Sequence, residues 1–300
     1  MLTLADLARL ADRHRDDLDL KVGPLLLGDD VIDVDAHPVI MGTINLSRDS
    51  TYRDSIATST FDAIRRGRVM AAQGAAIVDI GAESTTARAA RVDAQDQASA
   101  TVPVVAALAG EGICVSIEAY AADVVEEALS AGARVINLTG SAEQDRIFEL
   151  AASWDATVIV CYLGGGTVRE ITDVPLSSDP IPMLIDHFGD RIERARSLGA
   201  HRLVIDPGMG FYYGNLTDPA VRVQHQASVL LNSFRLRSLG LPICHALPHA
   251  FDLFSDQFRS AEAYFATLAF LGGTSVYRTH EVAGVRSALA AMTTLTVDPA

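Results

Sequence analysis

The sequence predicts an α/β fold, a (β/α)8 TIM barrel preceded by an N-terminal extension. Three observations carry that expectation. Eight short apolar runs recur along the 300 residues. Most are separated by segments whose apolar residues fall at helical spacing, and strand–helix alternation implies a parallel sheet with right-handed crossovers. Eight such units in about 250 residues suit a closed barrel. The competing arrangement is an open doubly wound sheet. It usually has fewer strands and a Gly-x-Gly-x-x-Gly turn after the first, and this chain lacks that turn.

The elements follow in order. "MLTLADLARLADRHRDDLDLK" has the spacing of an amphipathic helix, and "LLLGDDVIDVD" reads as a hairpin lid under the barrel. These form the extension, residues 1–37, and the barrel occupies 38–295. Its strands are expected in "PVIMGTINL" (38–46), "AAIVDIGAES" (75–84), "GICVSIEAY" (112–120) and "ARVINLTG" (133–140). The second half follows with "ATVIVCYLGGG" (156–166), "RLVIDPGMGF" (202–211), "PICHALPH" (242–249) and "TSVYRTHEV" (274–282). Segments such as "STFDAIRRGRVMAAQG" and "AADVVEEALSAGA" are the helices between them, each with Gly near its end. No Ser/Pro-rich linker divides the chain.

Composition excludes whole classes of partner. Lys and Arg number 24 and Asp and Glu 38, a formal charge of −14. So acidic a surface repels phosphate backbones and anionic lipid, which argues against nucleic acid and membrane. There is no long apolar span, and the N-terminus does not read as a signal peptide. The three cysteines, Cys114, Cys161 and Cys244, lie far apart without metal-ligand spacing, which fits a reducing cytoplasm.

Polar residues at strand ends are the functional signal. The first strand ends in Asn45, the second in Asp79 with Glu83 just past it, and the third in Glu118. The fourth gives Asn137, the sixth Asp206, and the eighth Arg278 and His280. Barrel active sites lie at this C-terminal face, whereas a packed core prefers Val, Ile and Leu. Strand-end capping and a structural Arg–carboxylate pair are the plainer reading. The set is chemically coherent, however. Carboxylates and an amide suit the N–H and C=O edges of a flat heterocycle, and cationic groups on the last strand suit phosphate.

Five stretches, "IMGTINLSRDSTY", "IVDIGAEST", "VSIEAYAADVVEEALSAGARVIN", "VIDPGMGF" and "YRTHEV", together resemble the dihydropteroate synthase family, in order and spacing from about residue 39 to 290. The resemblance implies a (β/α)8 barrel with a pterin deep in its mouth. It also implies displacement of the diphosphate of 6-hydroxymethyl-dihydropterin diphosphate by the amine of p-aminobenzoate, and a homodimer through the last helices, where "AEAYFATLAFLGG" (261–273) is apolar enough to serve. By the same resemblance Asn45 lies near the diphosphate and a Mg2+, Asn137 and Asp206 hydrogen-bond the pterin, and Arg278 and His280 bind the diphosphate. Thr85, in the loop after the second strand, is placed at the substrate.

The departures shape the expected activity. The family's third-strand Ser-x-Asp-Thr is here Ser116-Ile117-Glu118-Ala119, which moves the carboxylate by about 1.5 Å. The family's Ser-Arg-Lys after the seventh strand is replaced by "CHALPHAF", with His249 nearest the lysine position. The loop usually reading Glu-Ser-Thr-Arg-Pro-Gly is Glu83-Ser84-Thr85-Thr86-Ala87-Arg88. Weak or absent synthase activity is therefore expected, with pterin binding retained. The alternatives are a pterin-binding paralogue without synthase activity and folate-dependent methyl transfer, which gives Arg278 and His280 no role. A metal-dependent hydrolase barrel usually opens with His-x-His on the first strand, and this one ends "GTINL". A Schiff-base aldolase needs a strand-end lysine, and the single lysine is Lys21.

Overall fold

The structure is a computed structural model. It describes residues 1–47, 57, 59–83, 92–163, 173–174, 177, 179–211 and 213–296. The N-terminal segment holds α1 (Leu4–Arg13) and an antiparallel hairpin of β1 (Leu25–Leu27) and β2 (Asp30–Ile32). Thr3 caps α1 by a reciprocal box with Asp6.

Then comes the barrel alternation. The first half runs β3 (Val39–Asn45), α2 (Thr60–Gln73), β4 (Ile77–Gly81), α3 (Ala94–Gly110), β5 (Val115–Ala119), α4 (Ala122–Ser130), β6 (Val135–Leu138) and α5 (Gln144–Ser153). The second runs β7 (Thr157–Cys161), α6 (Ile181–Ser197), β8 (Leu203–Asp206), α7 (Pro219–Asn232), β9 (Cys244–Ala246), α8 (Phe251–Phe254), α9 (Ala261–Leu271), β10 (Val276–Thr279) and α10 (Val282–Thr294). The eight strands from β3 to β10 pair in parallel in the order β8-β7-β6-β5-β4-β3-β10-β9. The ring closes where Ile205 bridges Ile243 and its N–H donates to Pro242 O at 3.1 Å. The fold is a (β/α)8 barrel.

Strand alternation sorts every side chain in or out. Outward residues Ile40, Ile44, Val78, Ile80, Ile117, Ile136, Val160 and Ile205 belong to one apolar cluster with helix residues such as Leu108, Phe148, Phe188 and Phe265. Val39, Met41, Ile77, Val135, Ile159, Val204, Cys244 and Val276 form a second cluster inside the ring. Leu25, Leu27 and Val34 complete that cluster, so the hairpin covers the N-terminal end of the barrel with its apolar side. Arg202 fastens it by donating to Gly28 O at 2.5 Å. Two residues further along four of the strands the inner layer turns polar. Asp79 follows Ile77, Asn137 follows Val135, Asp206 follows Val204 and Arg278 follows Val276. A dry plug below and polar groups above set the depth of the site. No described helix is long and apolar enough to cross a membrane.

Candidate functional site

The polar layer is organised around Asp79, a fully buried carboxylate. Its Oδ1 accepts from Ser116 Oγ at 2.7 Å, and its Oδ2 accepts from Asn137 Nδ2 at 3.1 Å and Arg278 Nε at 2.8 Å. Arg278 Nη2 donates to Glu118 Oε2. These contacts are set by strand register. Asp79 pairs with Ser116 across β4 and β5, and Glu118 with Asn137 across β5 and β6. Neighbouring inward positions on parallel strands necessarily bring these groups together.

The charges are buried, and that has consequences. Burial raises Glu118, against the opposing pull of Arg278 and with further raising by Asp79 and Asp206, to about 7. Burial works against the charge of Arg278, but Glu118 and Asp79 outweigh it and hold the guanidinium well above its usual value. Among the described residues Arg278 is thus engaged at both Nε and Nη2.

Asp206 lies at the end of β8, buried, with Oδ1 accepting from Gly208 N–H at 2.8 Å. That turn explains "DPGMG". Gly208 has φ +79°, and a Cβ there would meet Tyr162 O at 2.4 Å. Only glycine fits the backbone that brings its N–H back to the carboxylate. Burial raises Asp206 to about 6, partly offset by the Gly208 hydrogen bond. Asn137 is turned to Asp79, and its Oδ1 accepts from Cys161 Sγ at 3.2 Å.

A second cluster stands at the rim. Glu262, on α9, is 1% exposed. Its Oε2 accepts from Thr279 Oγ1, from His280 N–H at 2.8 Å and from Glu281 N–H at 3.0 Å. Its Oε1 lies 3.0 Å from Nδ1 of His249 and 3.0 Å from Nδ1 of His280. Burial would raise the Glu262 carboxyl, but the His249 and His280 contacts prevail and hold it well below the usual range. Burial lowers His280, against the attraction of Glu262. Nε2 of His280 sits 3.4 Å from Asn45 Nδ2.

The residues expected from the sequence therefore fall into two groups. Glu118, Asn137, Asp206 and Arg278 lie in the polar layer of the barrel. Asn45, His249 and His280 lie at its rim. Glu118 pairs with Arg278, as the structural reading of its charge allowed. Thr85 lies outside the described residues, as do Ser84, Thr86, Ala87, Arg88 and the "RDSTY" loop, whereas Glu83 is described and accepts from Tyr120 Oη at 2.5 Å. His245 is buried on the outer side of β9 with Nε2 2.7 Å from Ser233 Oγ, so it serves packing. Two contributors escaped sequence reasoning. Asp79 was visible as a strand-end carboxylate but not recognised as the hub. Glu262 was hidden in an apolar helix, where its signal was a lone acid among residues of the buried face.

The family model for pterin binding enzymes matches residues 41–280. The chain belongs to that family. The dihydropteroate synthase of Synechocystis sp. is 28% identical over 272 residues, covering 86% of this chain and 90% of the relative. That of Mycobacterium leprae is 30% identical over 252 residues, covering 81% and 88%. Among solved structures, Yersinia pestis dihydropteroate synthase with a sulfonamide drug complex superposes with a TM-score of 0.79 at 26% identity, over 90% of this chain and 98% of that one. Xanthomonas albilineans dihydropteroate synthase with 4-aminobenzoic acid gives 0.77 at 26% identity, over 93% and 100%. The matched span of this pterin-binding family member runs from β3 to His280 and so contains both clusters.

Proposed function

We propose that the protein binds a pterin, or a closely related fused heterocycle, in the polar layer and acts by group transfer at the ring-attached carbon with diphosphate leaving. The observation that carries this is the buried set of Asp79, Glu118 and Asp206 around Arg278, capped by Asn45 and His280. A pterin offers a 2-amino group and a ring N–H side by side. Asp206 opposite them makes a charge-assisted, two-point contact that fixes the ring plane. The exocyclic C–O bond would break toward the rim, where Nε2–H of His280 would donate a hydrogen bond to the departing diphosphate. An incoming amine forms the new C–N bond and loses its proton.

Mg2+ suits Asn45 on donor chemistry. A single amide oxygen suffices when water and substrate diphosphate complete the octahedron, which is how this ion is commonly held. When bound, the ion would neutralise the diphosphate, while Asn45 and His280 orient it.

Turnover with p-aminobenzoate is expected to be weak or absent. A misplacement of about 1 Å costs about a hundredfold in rate. Glu118 is one methylene longer than the aspartate of the family pattern, and Arg278 is committed to two carboxylates rather than to the leaving group. The same commitment favours a binding role without synthase turnover as the second reading. We also infer a homodimer, through the outer side of α9 and α10, where Tyr264 and Leu271 are exposed.

The test is calorimetry with 6-hydroxymethylpterin diphosphate beside a diphosphate-release assay with and without p-aminobenzoate. Binding without p-aminobenzoate stimulation is expected. Robust stimulation would refute the altered-rim argument, and absence of any pterin binding would refute the whole reading.

A further inference from the structure

Glu262, His249 and His280 are more than a support for one histidine. Their ligand-type atoms, two imidazole nitrogens and one carboxylate oxygen, all lie within 4.8 Å of one another. Oε1 of Glu262 is 3.0 Å from each Nδ1. Donors held at right angles about 2.1 Å from one ion lie about 3.0 Å apart, and tetrahedral donors about 3.4 Å apart. Each carboxylate–imidazole spacing is that of neighbouring ligands around a single ion, and the two imidazole nitrogens lie within 4.8 Å of each other. We propose that His249, Glu262 and His280 form a binding site for one divalent first-row transition ion, such as Zn2+, Co2+ or Mn2+.

The surroundings meet the other requirements of a metal site. One carboxylate oxygen is locked by Thr279 Oγ1 and the N–H groups of His280 and Glu281, so the other is presented in a fixed direction. Asn45 stands against the second nitrogen of the His280 ring, as outer partners of metal-bound imidazoles do; its amide, turned to present oxygen, would accept Nε2–H. Glu262 is closed off, but the His249 and His280 side chains keep 19% and 13% exposure, which leaves an entry path from the rim. Two imidazoles with one carboxylate favour transition ions over Mg2+ or Ca2+, which prefer oxygen alone. Three protein ligands leave positions open for water or an anion. An ion there would also put positive charge on a rim without lysine, since the chain's one lysine is Lys21.

The same 3.0 Å spacing would also arise from hydrogen bonds alone, and the experiment separates the two. Full-length protein, stripped with chelator, is titrated with Co2+ while visible absorption and heat are recorded. One Co2+ per chain is expected, competed by Zn2+ and not by Mg2+. His249→Ala and Glu262→Gln should each weaken binding at least about tenfold. His249→Ala removes a partly exposed ring, so it carries the test if the buried Glu262→Gln does not fold. Absence of stoichiometric Co2+ binding, or affinity unchanged in His249→Ala, would overturn the site. No pterin is present, so this outcome is independent of the proposed function.

Discussion

Arg278→Met removes the guanidinium that bridges Asp79 and Glu118 and leaves a side chain of similar reach. Stripping one partner from a buried ion pair costs about 3–5 kcal/mol, because the other charge stays desolvated. Unfolding entropy of about 2.1 cal/mol/K per residue gives about 0.6 kcal/mol/K for a chain of this length. The variant should therefore melt about 5–8 °C lower near neutral pH. The loss should also depend on pH. Glu118 lies at about 7 even beside Arg278, above the ordinary carboxylate range. Without Arg278 it moves higher. A carboxylate whose folded value is raised takes up a proton on folding, so its stabilising contribution is complete below the unfolded value and is lost as pH rises through the folded one. Acidification toward about pH 5.5 should then let Glu118 fold neutral and shrink the penalty. Thermal melts followed by circular dichroism at several pH values supply the measurement. An unchanged melting temperature would mean that the guanidinium is solvated, and a penalty that grows on acidification would refute the carboxylate-pocket argument.

Asp206→Asn should weaken pterin affinity by about 2–4 kcal/mol, since one acceptor of a paired contact becomes a donor; calorimetry reads this directly, and unchanged affinity would remove Asp206 from the ring site. Ligand N–H groups should pull Asp206 down from about 6, so binding near that pH should release protons and weaken on acidification. Binding enthalpies in buffers of different ionisation heat check it, and proton uptake would contradict it. Gly208→Ala forces a Cβ against Tyr162 O at a φ of +79° and should lower stability by more than about 1 kcal/mol in thermal melts, unlike an alanine in an open loop. Light scattering at micromolar concentration should show a dimer burying at least about 1,000 Å2, and a monomer would contradict it.

The barrel was legible because strands buried on both faces leave short continuous apolar runs. Each strand has to be apolar on both faces until it reaches the mouth, so a run such as Leu203-Val204-Ile205 that stops at Asp206 announces both the strand and its end. The contacts were less legible. Sequence shows that Asp79, Glu118, Asn137 and Arg278 end their strands, but not that register gathers the last three around the first. Glu262 was less visible still. Its helix reads as an outer, partner-facing surface, yet Glu262, Phe265, Ala266 and Ala269 share its buried face. A carboxylate on such a face must find donors, and here they come from His280 and the end of β10, with Nδ1 of His249 3.0 Å away. Loops carry no comparable run, so Thr85 could be placed only by resemblance.

The two clusters divide the chemistry of the site by depth. Among the described residues of the polar layer, Asp79, Glu118 and Asp206 face one guanidinium, so carboxylates outnumber cations there. Burial makes that shortage costly, which is why Glu118 and Asp206 are both raised toward neutrality. A flat ring edged with N–H groups supplies what is missing, whereas an anion at that depth would add to the excess charge. Under the proposed function a diphosphate would then lie above, near Asn45, His249 and His280. There both imidazoles approach one oxygen of a carboxylate whose other oxygen is held by Thr279 and two backbone N–H groups. The polar layer thus rests on strand ends, whereas the rim cluster depends on a residue of α9, a helix away from those strands.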